Sequence, residues 1–138
     1  MSIETRIREL DQKRASLMEG GGKPRIEKQH ESGKLTARER IERLIDGGSF
    51  QEIGLFARHH AMLFGMADKE LPADGVVTGA ATVDGRLVHL ASQDFTVGGG
   101  AAGEVHSDKV AEMMRSSLKT GSPFVFINDS GGARVQEG

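Results

Sequence analysis

The sequence predicts an α/β fold in which a helical N-terminal segment precedes a β-hairpin, a helix and a further strand. Three observations lead to this prediction. Apolar residues recur at helical spacing before residue 47, β-branched residues alternate around an Asp-Gly pair, and a continuous apolar run follows the last helix. With 138 residues, 37% of them hydrophobic and 28% charged, the chain has the composition of one globular unit.

A helical arm is predicted over residues 1–49. One apolar stripe marks its first helix, over residues 2–19, at Ile3, Ile7, Leu10 and Leu17. A second helix follows at 24–31, and a capping box at 36–39 opens a third, with three residues facing inward: Ala37, Ile41 and Leu44. Because these apolar faces are narrow, they need a packing partner. We therefore expect the arm to lie at a subunit interface.

Residues 50–138 are predicted to form the first part of a domain. Two alternating strands flank Asp84-Gly85, which readily adopts the positive φ angles of a type I′ turn. A helix is expected over 103–120, with four residues on its buried face: Val110, Met113, Met114 and Leu118. The apolar run at 124–127 then predicts a buried strand, so strand, helix and strand form a parallel crossover.

Composition excludes several classes of function. The net charge of −2 gives no basis for binding nucleic acid or an anionic membrane, and the absence of cysteine excludes disulfides and thiolate metal sites. The adjacent His59 and His60 point apart on a regular element, so no metal site is expected. No apolar run approaches the ~20 residues of a membrane helix. We expect a cytoplasmic protein.

The strongest candidate site is the segment Asp129-Ser130-Gly131-Gly132-Ala133-Arg134, directly after the last predicted strand. Two glycines there let backbone N–H groups turn outward, and such groups bind an anion or an oxyanion that develops during a reaction. A plain strand-to-helix turn with tight packing is the equally good structural alternative. These six residues alone leave both interpretations open.

Two weaker candidates precede that segment. Residues 98–103 match the dinucleotide pattern G-x-G-x-x-G, but six residues separate them from the strand, which belongs to an antiparallel hairpin. The basic stretch at 23–43 carries seven Lys or Arg and four Glu. Two interpretations explain this stretch: a solvated helix surface, or a binding surface for the phosphates of a ligand such as coenzyme A.

Taken together, five phrases of this sequence resemble the carboxyltransferase (β) subunits of biotin-dependent acyl-CoA carboxylases, which include propionyl-CoA carboxylase and methylmalonyl-CoA carboxyltransferase. They occur in the family's order over nearly the whole chain: RIEKQH at 25–30, GKLTARER at 33–40, DGVVTG at 74–79, SQDFTV at 92–97 and DSGGARVQEG at 129–138.

The resemblance implies a crotonase-like (ClpP/crotonase) fold, of which this chain is an incomplete N-terminal portion preceded by the helical arm. It implies transfer of a carboxyl group from carboxybiotin to a short acyl-CoA, with propionyl-CoA giving methylmalonyl-CoA. The implied partners are the acyl-CoA thioester, a biotin carboxylase or biotin carboxyl carrier subunit that holds the biotin, and further copies of the subunit in a hexamer. A fragment of this length is expected to be inactive alone.

The resemblance also assigns residues. The Ala133 N–H is the expected donor to the thioester oxygen, with Gly132 shaping the turn. The acyl-CoA pocket is expected to involve Ser92, Gln93, Gly98, Gly99, Gly100, Lys34 and Arg38, the last two near phosphates. A second oxyanion donor and the biotin site are expected beyond Gly138. The alternatives are a scaffold without ligand affinity and a crotonase-fold hydratase or hydrolase, for which Glu137 is the nearby acid.

Overall fold

The structure, a computed structural model, describes residues 1–137. Within this range the chain forms four α-helices and four strands. In chain order these are α1 Ile3–Met18, α2 Lys23–Glu31, α3 Ala37–Leu44, β1 Gln51–Glu52, β2 Val76–Val83, β3 Arg86–Gln93, α4 Glu104–Thr120 and β4 Phe124–Ile127.

The strands form one mixed sheet in the order β1-β2-β3-β4. β1 pairs with β2 and β2 with β3 in antiparallel fashion, whereas β3 and β4 run parallel and are joined through α4. The predicted hairpin and parallel crossover are therefore confirmed. No helix in the described part of the chain is long and apolar enough to cross a membrane.

The hairpin turn has the predicted backbone conformation. Asp84 and Gly85 both have positive φ, of 49° and 77°. Sequence analysis did not assign a role to Asp46, whose carboxylate accepts hydrogen bonds from the N–H groups of Asp84 at 3.0 Å and Gly85 at 2.9 Å. It also accepts one from the hydroxyl of Thr82 at 2.6 Å. The end of the arm thus fixes the turn of the hairpin.

Helix α3 packs against one face of the sheet. Its predicted capping box is present: the Thr36 hydroxyl accepts from the Glu39 N–H, and the Glu39 carboxylate accepts from the Thr36 N–H at 2.8 Å. Ala37 and Ile41 are buried in a cluster with sheet residues, namely Val77, Ala81, Val88 and Leu90. The prediction for Leu44 is wrong, because 37% of this residue is exposed at the end of the helix.

Helix α4 packs against strands β2 and β3, and its buried face differs from the predicted one. Val110 and Met113 are buried as expected, but Met114 and Leu118 are 44% and 84% exposed. The buried positions are completed by polar residues, namely His106, Lys109 and Ser117. These side chains hydrogen-bond to backbone carbonyls of Asp74, Ala73 and Pro123, which offsets the usual cost of burying them.

Helix α1 buries none of its residues, and its stripe is exposed at Ile3, Ile7 and Leu10. By contrast, α3 belongs to the core of the sheet. The division of the chain into an arm over 1–49 and a domain over 50–138, and the assembly role of the arm, stay predictions.

The glycine run after α1 ends that helix and also packs closely against the segment 94–96. The Gly21 N–H donates to the Thr96 hydroxyl at 3.0 Å, and Arg25 donates to the Thr96 carbonyl at 3.2 Å. A Cβ on Gly21 would collide with that carbonyl. Because Gly20 likewise lies against the Asp94 carboxylate, only residues without a side chain fit between α1 and this part of the core.

We expect Gly21→Ala to lower the free energy of unfolding by about 1–3 kcal/mol, the range for forcing extra atoms into a packed contact. Urea unfolding measures the loss, and limited proteolysis should show faster cleavage near residues 19–22. The matched control is Gly47→Ala, where a Cβ meets nothing within 4 Å and φ is not positive. Equal stability of the two variants would contradict this account of the docking contact.

Candidate functional site

The turn after β4 leaves the backbone N–H of Ala133 without a partner among residues 1–137. Ala102 donates its N–H to the Gly132 carbonyl at 2.9 Å and accepts from the Arg134 N–H at 2.8 Å. Because neighbouring residues in such a bridge alternate in direction, the N–H of Ala133 faces away from Ala102. Ala133 is exposed, and its N–H has no acceptor within residues 1–137. This donor is thus available to a ligand.

Glycine is required for the shape of this turn. Gly132 has a φ of +125°, which residues with a side chain rarely adopt. Its N–H donates to the Ser130 hydroxyl at 3.0 Å, and the Gly131 N–H donates to the Gly99 carbonyl at 2.9 Å. The Ala133 amide is therefore held in a short loop whose backbone is fixed on both sides.

A buried ion network follows the turn. Arg134 donates to the Asp74 carboxylate at 2.8 Å and to the Glu137 carboxylate at 2.5 Å, and its side chain is only 5% exposed. A further bond runs to the Ala101 carbonyl at 3.0 Å. Glu137 in turn accepts from the Glu104 N–H at 2.7 Å and so caps α4. The segment after this turn forms a short 3₁₀ helix, Val135–Glu137.

His106 completes this network as a neutral ring. Its backbone N–H donates to the Asp74 carboxylate and its Nδ1 to the Asp74 carbonyl, both at 2.9 Å. Burial lowers the pKa of His106, so the ring is uncharged at neutral pH. Its other nitrogen lies 3.4 Å from the amide of Gln93. His106 thus links α4 to the segment before β2 without adding a charge.

A cavity of about 430 Å³ lies beside the turn. Four basic side chains belong to its lining, together with an aromatic ring and two glycines; the lining is Arg25, Lys28, Gln29, Ser32, Lys34, Lys69, Phe95, Thr96, Gly98 and Gly99. The Lys34 ammonium lies 4.3 Å from the centre of the Phe95 ring. Because Gly99 also holds the Gly131 N–H, the cavity and the turn share one stretch of backbone.

Comparison with known proteins assigns the family. A family model described as "Carboxyl transferase domain" matches residues 28–138. The chain belongs to the carboxyl transferase family. It is 56% identical over 137 residues to the methylmalonyl-CoA carboxyltransferase 12S subunit of Propionibacterium freudenreichii subsp. shermanii, covering 99% of this chain and 26% of that protein. It is 52% identical to the propionyl-CoA carboxylase beta chain of Cereibacter sphaeroides, covering 96% of this chain and 26% of that one.

A solved structure in this family has the same fold. The crystal structure of transcarboxylase 12S, whose reported features are hexamer assembly and bound methylmalonyl-coenzyme A, matches with a TM-score of 0.98 at 55% identity. The match covers 100% of this chain and 27% of that chain. The predicted family and the crotonase-like fold are thus confirmed. The chain spans about a quarter of the length of the relatives it matches.

The residues that the carboxyltransferase resemblance assigned to acyl-CoA binding fall into two groups. Gly98, Gly99 and Lys34 line the cavity. Ser92, Gln93, Gly100 and Arg38 do not.

Those four residues make contacts within the protein. The buried Ser92 hydroxyl donates to the Ala37 carbonyl at 3.2 Å, and Gln93 accepts from the Asp129 N–H at 3.1 Å. Gly100 lies against the Asp129 carbonyl. Arg38 forms a bidentate ion pair with Glu52 at 2.7 and 2.8 Å. Their roles toward acyl-CoA stay predictions.

Sequence analysis missed Lys69 and did not single out Arg25 or Lys28 within the basic stretch. Lys69 lies in a loop without a motif, so no local signal identifies it. The basic stretch at 23–43 was a usable signal for the other two.

Among residues 1–137, no group of three or more His, Cys, Asp or Glu side chains could hold a metal ion.

We expect Arg134→Gln to lower the free energy of unfolding of the natural protein by about 3–5 kcal/mol, because it leaves the fully buried Asp74 carboxylate without its ion-pair partner. Urea denaturation measures the loss. The control is Arg115→Gln, which removes an exposed pair with Glu112 and should change stability by at most about 1 kcal/mol. A loss at residue 134 no larger than at residue 115 would show that the network is not stabilising.

The buried Lys109 should make stability depend on alkaline pH. It donates to the carbonyls of Ala73 at 2.6 Å and Val76 at 2.5 Å, and burial lowers its pKa from 10.5 to about 8. Between these two values the unfolded chain binds more protons than the folded one, so the Lys109 contribution to stability rises with pH. The full rise is roughly 3 kcal/mol.

Urea unfolding between pH 7.5 and 10.5 tests this contribution. In Lys109→Met we expect the rise to disappear, whereas the exposed Lys119 on the same helix provides a control, Lys119→Met, that should keep it. The same pH dependence in the wild-type protein and in Lys109→Met would rule out Lys109 as its source.

Proposed function

We propose that this chain supplies the acyl-CoA half of the active site of a biotin-dependent acyl-CoA carboxyltransferase. The natural protein would transfer a carboxyl group between carboxybiotin and the α-carbon of a short acyl-CoA, with propionyl-CoA and methylmalonyl-CoA as the pair. The observation that carries this proposal is the free Ala133 amide, held on a rigid turn beside a cavity lined by cations, in a member of the carboxyl transferase family.

The chemistry of the reaction requires such an amide. When the α-carbon loses a proton, the thioester oxygen gains negative charge, and an N–H donor aimed at this oxygen stabilises the enolate more than the substrate. Ala133 supplies one such donor in the proposed site. Gly132 holds it in place through a backbone conformation that other residues disfavour.

The cavity supports coenzyme A as the carrier of the acyl group. The phosphates of coenzyme A are anionic, and Arg25, Lys28, Lys34 and Lys69 offer four positive charges around one space. The cavity volume of about 430 Å³ falls in the range of small-molecule sites. The sulfur end of the ligand would then extend from this cavity toward the adjoining turn.

The remaining parts of the site would come from outside this chain. Biotin supplies the carboxyl group and is carried by a biotin carboxyl carrier or carboxylase partner. The second oxyanion donor and the biotin-binding residues belong to the rest of the subunit or to neighbouring copies. The exposed stripe of α1 at Ile3, Ile7 and Leu10 fits assembly into a hexamer. On this basis the 138-residue piece is inactive alone.

A hydratase or hydrolase would need a free acid near the turn, and Glu137 is a poor candidate. Both of its oxygens already accept hydrogen bonds, one from Arg134 and one from the Glu104 N–H. Although burial opposes ionisation, these bonds lower the pKa of Glu137 below its usual range. An ionised, fully occupied carboxylate is a poor general base, which favours carboxyl transfer over hydration.

We expect Gly132→Ala in the natural protein to lower kcat by about 10²–10³-fold, the cost of losing one oxyanion donor, with little change in KM. Its Cβ meets nothing within 4 Å, so only the strained φ of the turn is tested. The assay is carboxyl transfer from methylmalonyl-CoA to biotin, followed as propionyl-CoA formation.

The adjacent glycine provides the control for this substitution. In Gly131→Ala the nearest atom to the new Cβ is the Gly99 carbonyl at an ordinary 3.8 Å, and φ is not in the strained region. This variant should keep kcat within a few-fold of the wild type. If Gly132→Ala is as active as Gly131→Ala, or if the natural protein transfers no carboxyl group, the proposed role of the turn is wrong.

A further inference from the structure

The first residue of the turn, Asp129, binds three side chains of the helical segment. Its carboxylate accepts from Lys34 at 2.6 Å, from Arg40 at 2.8 Å and from Gln29 at 3.1 Å. Burial opposes ionisation, but the hydrogen bonds from Lys34 and Gln29 and the charge of Arg40 leave the pKa of Asp129 below its usual value. At neutral pH one carboxylate therefore faces two cations.

Two of these three partners also line the cavity, namely Gln29 and Lys34. The Lys34 side chain is 36% exposed and lines the cavity, while its ammonium contacts Asp129. Because two cations share one carboxylate, the cluster carries an unbalanced positive charge. An anion in the cavity would balance this charge and fix the position of Lys34.

The backbone connects Asp129 firmly to the rest of the turn. Its N–H donates to the Gln93 side chain at 3.1 Å, and its carbonyl lies against Gly100, where a Cβ would collide with it. Two residues later, the Gly131 N–H donates to Gly99, which lines the cavity. A small displacement of Asp129 therefore also moves the loop that presents the Ala133 amide.

We propose that Asp129 is a positioning residue that couples binding of the substrate's phosphates in the cavity to the placement of the Ala133 amide. This inference rests on the proposed function. A phosphate beside Lys34 fixes the ammonium between two anions, and the ammonium then holds Asp129 and the start of the turn. Binding energy from a part of the substrate that does not react is thereby used at the reacting thioester.

The test compares two substrates in the natural protein: methylmalonyl-CoA and the methylmalonyl thioester of N-acetylcysteamine, which lacks the phosphates. In the wild type we expect the truncated thioester to lower kcat by about 10²-fold in addition to raising KM. In Asp129→Asn, kcat with methylmalonyl-CoA should fall to nearly the value for the truncated thioester. In Asp129→Asn, kcat with the truncated thioester should then be only a few-fold lower than kcat with methylmalonyl-CoA.

A matched aspartate provides the control. Asp46 also accepts three hydrogen bonds. It holds the hairpin turn before β3, however, at the opposite end of that strand from Gln93. Asp46→Asn should keep the full effect of truncation on kcat. Where Asp129→Asn fails to fold, Lys34→Gln takes its place, since Lys34 is partly exposed and its loss should abolish the same coupling.

The outcomes separate the two proposals. Equal fold losses of kcat with both substrates in Asp129→Asn or Lys34→Gln would show a structural role only and overturn the coupling. No loss of kcat in either variant would overturn it as well. A wild-type protein that transfers no carboxyl group from either thioester would instead overturn the proposed function itself.

Discussion

Asp74 and Arg134 form a buried ion pair where the start of β2, the first turn of α4 and the turn after β4 meet. Asp74 is inaccessible to solvent and the Arg134 side chain is 5% exposed, so neither charge can exchange its partner for water. Separating them would leave a buried charge uncompensated, at a cost of several kcal/mol. The segments that carry these two residues are therefore held in one arrangement. The position of the Ala133 amide, one residue before Arg134, depends on this constraint.

Close backbone packing acts together with the ion pair. A Cβ at Gly100 would collide with the Asp129 carbonyl, and a Cβ at Gly103 would collide with Arg134 and Glu137. Close approach of the turn to the start of α4 thus explains why positions 100 and 103 of the G-x-G-x-x-G run are glycine. The pattern that resembles a dinucleotide fingerprint has a steric reason within this fold.

Local signals in the sequence predicted the elements that depend on local chemistry. The Asp84-Gly85 turn, the capping box at Thr36 and the end of α4 at Gly121 all follow from residues a few positions apart. The face of α4 could not be predicted in this way. His106 and Lys109 are buried because carbonyls of the segment 73–76 accept their hydrogen bonds, and that segment is more than thirty residues away.

The site was predictable in one part and not in another. The turn at 129–134 is continuous in sequence, so its glycines marked it as a candidate. The cavity is assembled from α2, the loop before α3, Lys69 and residues 95–99, which are separated along the chain. The parallel pairing of β3 with β4, together with the Gly131–Gly99 hydrogen bond, brings the last of these beside the turn. A charge cluster built by tertiary contacts leaves no regular spacing in the sequence.

The state of the titratable groups around the turn has a consequence for the reaction. Asp74, Asp129 and Glu137 are each hydrogen-bonded to cations, and the buried ring of His106 is kept neutral with Nδ1 donating to a carbonyl. All of these groups are therefore engaged within the protein and hold the turn in place. The proposed reaction would instead use fixed backbone dipoles, which need no reorganisation when charge develops. The proposed enolate-forming reaction, whose proton acceptor would belong to another molecule, fits a turn whose neighbouring side chains are already engaged within the protein.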